Sequence, residues 1–369
     1  PVIKPNTADG ANLNLDVSAW WDEDDQTWYA LIGGRTGAAQ NDAGENVGTT
    51  FLYQSDDLLD WQYLNPLFKG KDPAVTGEQW DMSHMFKLGD KHVVLITAYD
   101  APHLKKSKWK TFDMTREMGW IGRFENHRFI PETEPFILDP GHYFGCAMSF
   151  EDDKNRRIIF GLVWEGNPPL FGERAWYKKA GRPNTLPVHP RGGGEPRFYH
   201  PIEWWKHMYS LPRVLTLRPD GTLGQEPVEE LQTLRRKHWR YDQIPVSESG
   251  SHFLTEVQGD MLEIIAVIDP GDADAVGIKV LCSPDRQEQT LFIYDCKQKK
   301  LIADQTHASL DPDVLNLGSS GTYPNLPVYT ADFELRDDER LELHIFVDRS
   351  VVEVFPNKRF CMTQRVYPI

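Results

Sequence analysis

Apolar positions along this chain come in runs of about four to eight residues, each closed by Gly, Asp, Asn or Pro, the cadence of β-strands and tight turns. Trp28-Tyr29-Ala30-Leu31-Ile32-Gly33-Gly34, Thr50-Phe51-Leu52-Tyr53, Val93 to Thr97, Arg157 to Trp164 and Arg213-Val214-Leu215-Thr216-Leu217 are successive examples. No stretch carries the three-and-four spacing of an amphipathic helix. Many short strands at near-regular spacing predict an all-β chain, built as a propeller or a sandwich.

The stretch from Gly77 to Ile96 states the unit most fully. Asp81 stands beside Trp80, a short apolar segment follows, Gly89-Asp90 turns the chain, and Val93-Val94-Leu95-Ile96 returns as an unbroken apolar run. The same order of acid, strand, turn and strand recurs loosely from Asp16 to Gly33 and from Asp139 to Trp164. In a propeller the innermost strand of each blade lines the central channel, so acids at the starts of such strands converge at one mouth. From about Trp239 the strands lengthen and alternate more strictly. In Leu341-Glu342-Leu343-His344-Ile345-Phe346-Val347 the odd positions form one buried face, Asp348-Arg349-Ser350 turns, and Val351-Val352-Glu353-Val354-Phe355 returns. Two stacked antiparallel sheets suit that pattern. The expected division is a propeller over residues 1–237 and a sandwich over 238–369.

Composition narrows the function. The 369 residues carry 40 Lys and Arg against 55 Asp and Glu, a net charge of -15 that disfavours nucleic acid as a partner. Lys105, Lys106, Lys108 and Lys110 make a dense basic run, which reads as a solvated face. No apolar run is long enough to span a bilayer and no leader opens the chain, so no membrane partner is expected; cytoplasmic and processed secreted proteins would both look like this. Cys146, Cys282, Cys296 and Cys361 show no paired spacing and the histidines no ligand spacing, so neither a metal nor another cofactor is expected. The Pro-, Gly- and Arg-rich segment from Gly166 to Trp205, with Arg191-Gly192-Gly193-Gly194, lacks the lysine of a phosphate loop and reads as a long surface loop. Ser247-Glu248-Ser249-Gly250-Ser251 is no nucleophile elbow.

Several stretches together resemble glycoside hydrolase family 32, the invertase, inulinase and levanase family. They are Leu211-Pro212-Arg213-Val214-Leu215-Thr216-Leu217, Asp220-Gly221-Thr222-Leu223-Gly224 with Gln225 to Leu231, and Phe346-Val347-Asp348-Arg349-Ser350-Val351-Val352-Glu353-Val354-Phe355 with Arg365-Val366-Tyr367-Pro368. The resemblance implies a five-bladed β-propeller followed by a β-sandwich. Its chemistry would be retaining cleavage of terminal β-D-fructofuranosides in sucrose or fructans, by a nucleophilic carboxylate and an acid/base carboxylate, with a third carboxylate supporting the transition state. The implied partner is a small fructose-containing saccharide.

By the same resemblance, Asp81 occupies the acid/base position, where a Glu is expected, and Asp16 that of the transition-state-stabilising Asp, flanked here by Leu15 and Val17 rather than Arg and Pro. Tyr143-Phe144-Gly145-Cys146-Ala147 resembles an Asp-Phe-Tyr-Ala stretch. Trp80, Trp164, Glu165 and Tyr143 are the candidates for substrate contact. Pro1-Val2-Ile3 resembles a stretch that follows the family's first blade, and no Asn-Asp-Pro-Asn-Gly motif bearing the nucleophile occurs in these residues. The expectation is a propeller whose first blade is missing or incomplete, with an N-terminal fragment of the same protein as a candidate partner. The competing expectation is a non-catalytic carbohydrate-binding or regulatory relative with an eroded site.

Overall fold

The computed structural model describes residues 3–4, 8–37, 46–99, 115–141, 143–164, 208–246, 254–310 and 327–368. Glu165, the Lys105 to Lys110 run, the Gly166 to Trp205 loop and Ser247 to Ser251 lie outside the described residues.

Among the described residues, three consecutive antiparallel sheets come first. One is β1 (Ala11–Asp22), β2 (Thr27–Thr36), β3 (Val47–Ser55) and β4 (Gln62–Lys69), in that order. The next is β5 (Gln79–Leu88), β6 (Lys91–Tyr99), β7 (Thr115–Glu125) and β8 (Arg128–Pro131), with the short β9 (Phe136–Ile137) also on β7. The third is β10 (Phe144–Glu151), β11 (Arg157–Val163), β13 (Arg213–Leu217) and β14 (Leu223–Pro227), with β12 (Met208–Tyr209) also on β11. Each is a meander of the kind that forms a propeller blade, and neighbouring blades pack face to face. Tyr29, Leu31 and Leu52 of the first blade meet Trp80, Val94 and Ile96 of the second, while Val93, Leu95 and Ile121 meet Phe144, Ala147 and Ile159 of the third. The unbroken apolar run Val93 to Ile96 thus has its cause: β6 is covered on both faces, so its alternation separates two apolar interfaces rather than core from water.

The remaining strands form two four-stranded antiparallel sheets. One runs β15 (Met261–Ile268), β20 (Leu341–Asp348), β21 (Val351–Pro356), β22 (Met362–Arg365), and the other β16 (Ala275–Val280), β17 (Gln289–Asp295), β18 (Lys300–His307), β19 (Val328–Asp332). Leu341, Leu343, Ile345 and Val347 are buried against Val280, Phe292, Leu301 and Ala303 of the facing sheet. The strict alternation of β20 is that of a strand in a two-layer sandwich. The fold is all-β, a propeller domain followed by a sandwich. All four cysteines are free.

Propeller and sandwich are joined by a buried charge network. Arg213, on β13, sends Nη1 to Asp139 Oδ2 at 3.0 Å and Nη2 to Glu353 Oε1, on β21, at 2.5 Å, with all three side chains essentially out of solvent. Thr363 closes it, its N–H donating to Asp139 Oδ1 at 2.9 Å and its hydroxyl to Asp139 Oδ2 at 2.6 Å. The guanidinium lies 4.1 Å from the ring centroid of Phe144. Gly141 lets the two backbones approach, since a Cβ there would sit 1.9 Å from Thr363 O. Asp139, expected at a channel mouth, belongs instead to this interface, where its carboxylate is consumed by Arg213 and Thr363.

Arg213→Met would leave Asp139 and Glu353 buried without a counter-charge. We expect a loss of about 3–5 kcal/mol of stability, read from chemical denaturation of the purified protein. A loss below about 1 kcal/mol would show that the network does not hold the two parts together.

Candidate active site

The innermost strands of the three blades carry the same irregularity. In β1, Asn14 pairs with Gly34 and Val17 with Ile32, so Leu15 and Asp16 oppose the single residue Gly33. In β5, Asp81 pairs with Thr97 and His84 with Leu95, so Met82 and Ser83 oppose Ile96. In β10, Gly145 pairs with Leu162 and Met148 with Phe160, so Cys146 and Ala147 oppose Gly161. These are β-bulges, which bend a strand and re-aim its side chains. Met82 and Cys146 take positive φ values of 47° and 48°, a cost that non-glycine residues bear where surrounding structure fixes them.

The bulges bring Asp16, Asp81 and Cys146 into one cluster. The backbone N–H of Asp16 donates to the Asp81 carboxylate. Asp81 also accepts from Met82 N–H at 2.8 Å and, on its other oxygen, from the Tyr99 hydroxyl at 3.4 Å. Asp16 is exposed and Asp81 half-buried. Burial, then the negative charge of Asp16, pushes the Asp81 carboxyl above its ordinary range, against the lowering pull of those donors. Burial and the neighbouring Glu117 and Asp81 carboxylates push the Cys146 thiol up to about 12, so it is no nucleophile near neutral pH. Chemically, the pair offers one carboxyl that keeps its proton longer than usual and one exposed carboxylate beside it.

Two expected sugar contacts are corrected. Trp80 is 0% exposed; its Nε1–H donates to Thr76 O at 2.7 Å and its ring stacks on Phe68 at 5.5 Å. Its neighbour Asp81 faces the site only because consecutive strand residues point to opposite faces, which sends the indole into the core between the first two blades. Gly48 makes room for it, since a Cβ there would lie 2.2 Å from the indole. Tyr143 is 2% exposed and packs against Tyr329 of the sandwich, so its ring cements the interface. Trp164 is half-buried and lies over Gly145, where a Cβ would meet its Nε1 at 2.6 Å, which places it one residue from the Cys146 bulge. Trp20 packs at a tilt against Tyr29 while Trp21 is exposed against Trp28, one on each face of the strand.

Sequence reasoning missed Glu117. It sits on β7 in register with Thr97, which is itself in register with Asp81, so Asp81, Thr97 and Glu117 form one row across three strands on the same face. Glu117 is 1% exposed, accepts from the Thr97 hydroxyl at 2.8 Å, and its Oε1 has no hydrogen-bond partner. Burial, with the Asp81 charge adding to it, pushes its carboxyl up to about 8. In Thr115-Arg116-Glu117-Met118 it reads as an ordinary polar strand position, and only a break in a doubly buried strand could have flagged it. Among the described residues no set of three or more His, Cys, Asp or Glu is arranged to hold a metal ion.

The pattern described as the glycosyl hydrolases family 32 N-terminal domain matches residues 1–190, and that of the family 32 C-terminal domain matches residues 230–369. A sucrose-6-phosphate hydrolase of Zymomonas mobilis is 25% identical over 354 residues, 95% of this chain and 58% of the relative. A fructan 1-exohydrolase of Triticum aestivum is 22% identical over 416 residues, covering 100% of this chain and 62% of the relative. Among solved structures, the Cichorium intybus fructan 1-exohydrolase in complex with 1-kestose superposes with a TM-score of 0.68 at 18% identity, over 100% of this chain and 69% of that one. A Bombyx mori β-fructofuranosidase in complex with sucrose gives 0.63 at 18%, over 100% and 64%. The chain thus spans about three fifths of the length of these relatives. With both domain patterns matched in order and the propeller and sandwich shared with these structures, the chain belongs to glycosyl hydrolase family 32.

Proposed function

We propose that the protein containing these residues hydrolyses terminal β-D-fructofuranosides with retention of configuration. Asp81 is the acid/base group and Asp16 the carboxylate that supports the transition state. The observation that carries this reading is the state of Asp81, half-buried, flanked by a second carboxylate, and shifted toward holding its proton. A glycosidase acid needs that shift, because it must still be protonated when it meets the leaving oxygen. Asp16 stays exposed beside it, as a group that touches sugar hydroxyls requires. No nucleophile is assigned within these residues; the reading leaves that role to a carboxylate outside them. Trp164 is the described aromatic best placed for a sugar ring, and Glu165 follows it in sequence. Relatives solved with sucrose and with 1-kestose make fructose-containing saccharides the substrates to test.

Asp81→Asn should lower fructose release from sucrose and 1-kestose by at least about a hundredfold in the full-length protein, with the unfolding midpoint little changed. Unaltered release would acquit Asp81 and make the buried Glu78 the next candidate. No release by the unsubstituted full-length protein, with sugar binding retained, would favour the non-catalytic reading.

Activity should fall as pH rises through the raised Asp81 value, because the acid then loses its proton. Asp16→Asn removes the like charge that helps hold that proton on Asp81, so the alkaline limb of kcat/KM should move toward lower pH. A limb that stays in place would mean that Asp16 does not tune Asp81.

A further inference from the structure

Asp139 and Glu353 are buried with Arg213 between them, whereas Glu117 is buried with no cation among the described residues facing it. The groups that face it are Thr97 on β6, the Asp81 carboxyl on β5, and Ala147 and the Cys146 thiol on β10. Asp16 and Tyr99 complete the cluster around Asp81. An ionised carboxylate so placed pays a large desolvation cost that the Thr97 hydroxyl and the Ala147 N–H, 3.5 Å away, offset only in part, so the group stays neutral near pH 7. Its contacts run in one direction. Thr97 Oγ1 donates to Glu117 Oε2 at 2.8 Å and, through its remaining lone pairs, accepts from Cys146 N–H at 3.0 Å. The Thr97 hydroxyl is thereby the pin between the second blade and the bulge of the third. A rotating hydroxyl pins a neighbour only when its own proton is committed, and Glu117 is the group that commits it.

We propose that Glu117 is a positioning residue: by orienting the Thr97 hydroxyl it fixes the Cys146 bulge of the third blade against the row that carries Asp81. The claim rests on the reading of Asp81 as the acid for its consequence in catalysis, though not for the clamp itself. Without Glu117 the hydroxyl can turn away, the amide of Cys146 loses its acceptor, and the wall opposite Asp81 loosens. Misplacement of the order of an ångström beside a proton donor is enough to cost turnover while leaving sugar affinity in place.

The test uses the full-length protein with sucrose near pH 6. Glu117→Leu and Thr97→Val should each lower kcat by about tenfold or more with KM changed by less than about twofold, and Glu117→Gln, which keeps the acceptor, should recover to within about threefold of the unsubstituted rate. Wild-type kcat in Glu117→Leu would overturn the proposal. Hydrogen exchange supplies a readout independent of activity. The amide of Cys146 should exchange faster in Glu117→Leu and Thr97→Val and remain protected in Glu117→Gln, and unchanged protection in the first two would sink the clamp even if the protein released no fructose.

The proton on Glu117 gives a second independent readout. A carboxyl raised from 4.5 to about 8 holds a proton in the folded protein that the unfolded chain releases, so stability is fully present below about pH 4.5 and declines toward pH 8. Glu117→Gln should lack that decline, its unfolding midpoint exceeding the wild type's increasingly from about pH 5 to 8. Parallel pH curves would refute a neutral Glu117.

Discussion

A guanidinium sealed from water has no use except to the anions sealed in with it, and Arg213 holds the two halves of this molecule together on those terms. Its partners come from distant parts of the chain, Asp139 before the third blade and Glu353 in the sandwich. The desolvation of three charges is offset only because nearly every lone pair and donor is used, by Thr363, Gln225, Gly141 and Leu211. That requirement for completeness gives the interface a single geometry. The third blade is therefore seated on a rigid base, and its inner strand is presented at a fixed height beside the acids of the other two.

The site uses a different device. Each inner strand breaks its pairing at the same level, two residues against one, and the groups of chemical interest sit at those breaks. The backbone strain at Met82 and Cys146 is held by what surrounds it: Ser18 donates to Ser83 O at 2.7 Å across the first two blades, and Thr97 captures Cys146 N–H across the next two. Acidity, burial and strain thus come from one arrangement, with Asp81 half-enclosed because the bulge turns it toward neighbours rather than toward water.

The strands were legible because they repeat a physical signal: β20 alternates, β6 runs apolar throughout, and both patterns follow from what covers their faces. Asp16 and Asp81 were legible as acids on innermost strands, though Asp16 sits in the middle of its strand rather than at the head. Trp80 was misread because adjacency in sequence suggests adjacency in space, and in a strand it means the reverse. Tyr143 and Asp139 were misread because a domain interface is made from segments far apart in the chain, and nothing in either segment names its partner. Glu117 was invisible for a related reason, since a polar residue in an alternating strand implies solvent only when one face of the sheet meets solvent.

The bulge in β5 also changes the phase of its strand. Trp80 and Met85 are an odd number of positions apart, yet both face the first blade; Asp81, His84 and Phe86 all face the third. The extra residue bends the strand just beyond Trp80 and Asp81, which ordinary alternation already sends to opposite faces, and pairing resumes at His84 with the sequence count shifted by one. Removing one residue from the bulge would leave Trp80 and Met85 four positions apart, the spacing at which an unbroken strand puts both on one face, so the pairing would survive while the bend beside Asp81 was lost. Point substitutions here test chemistry; shortening the strand by one residue would test whether the bend itself, rather than the residues on it, aims Asp81.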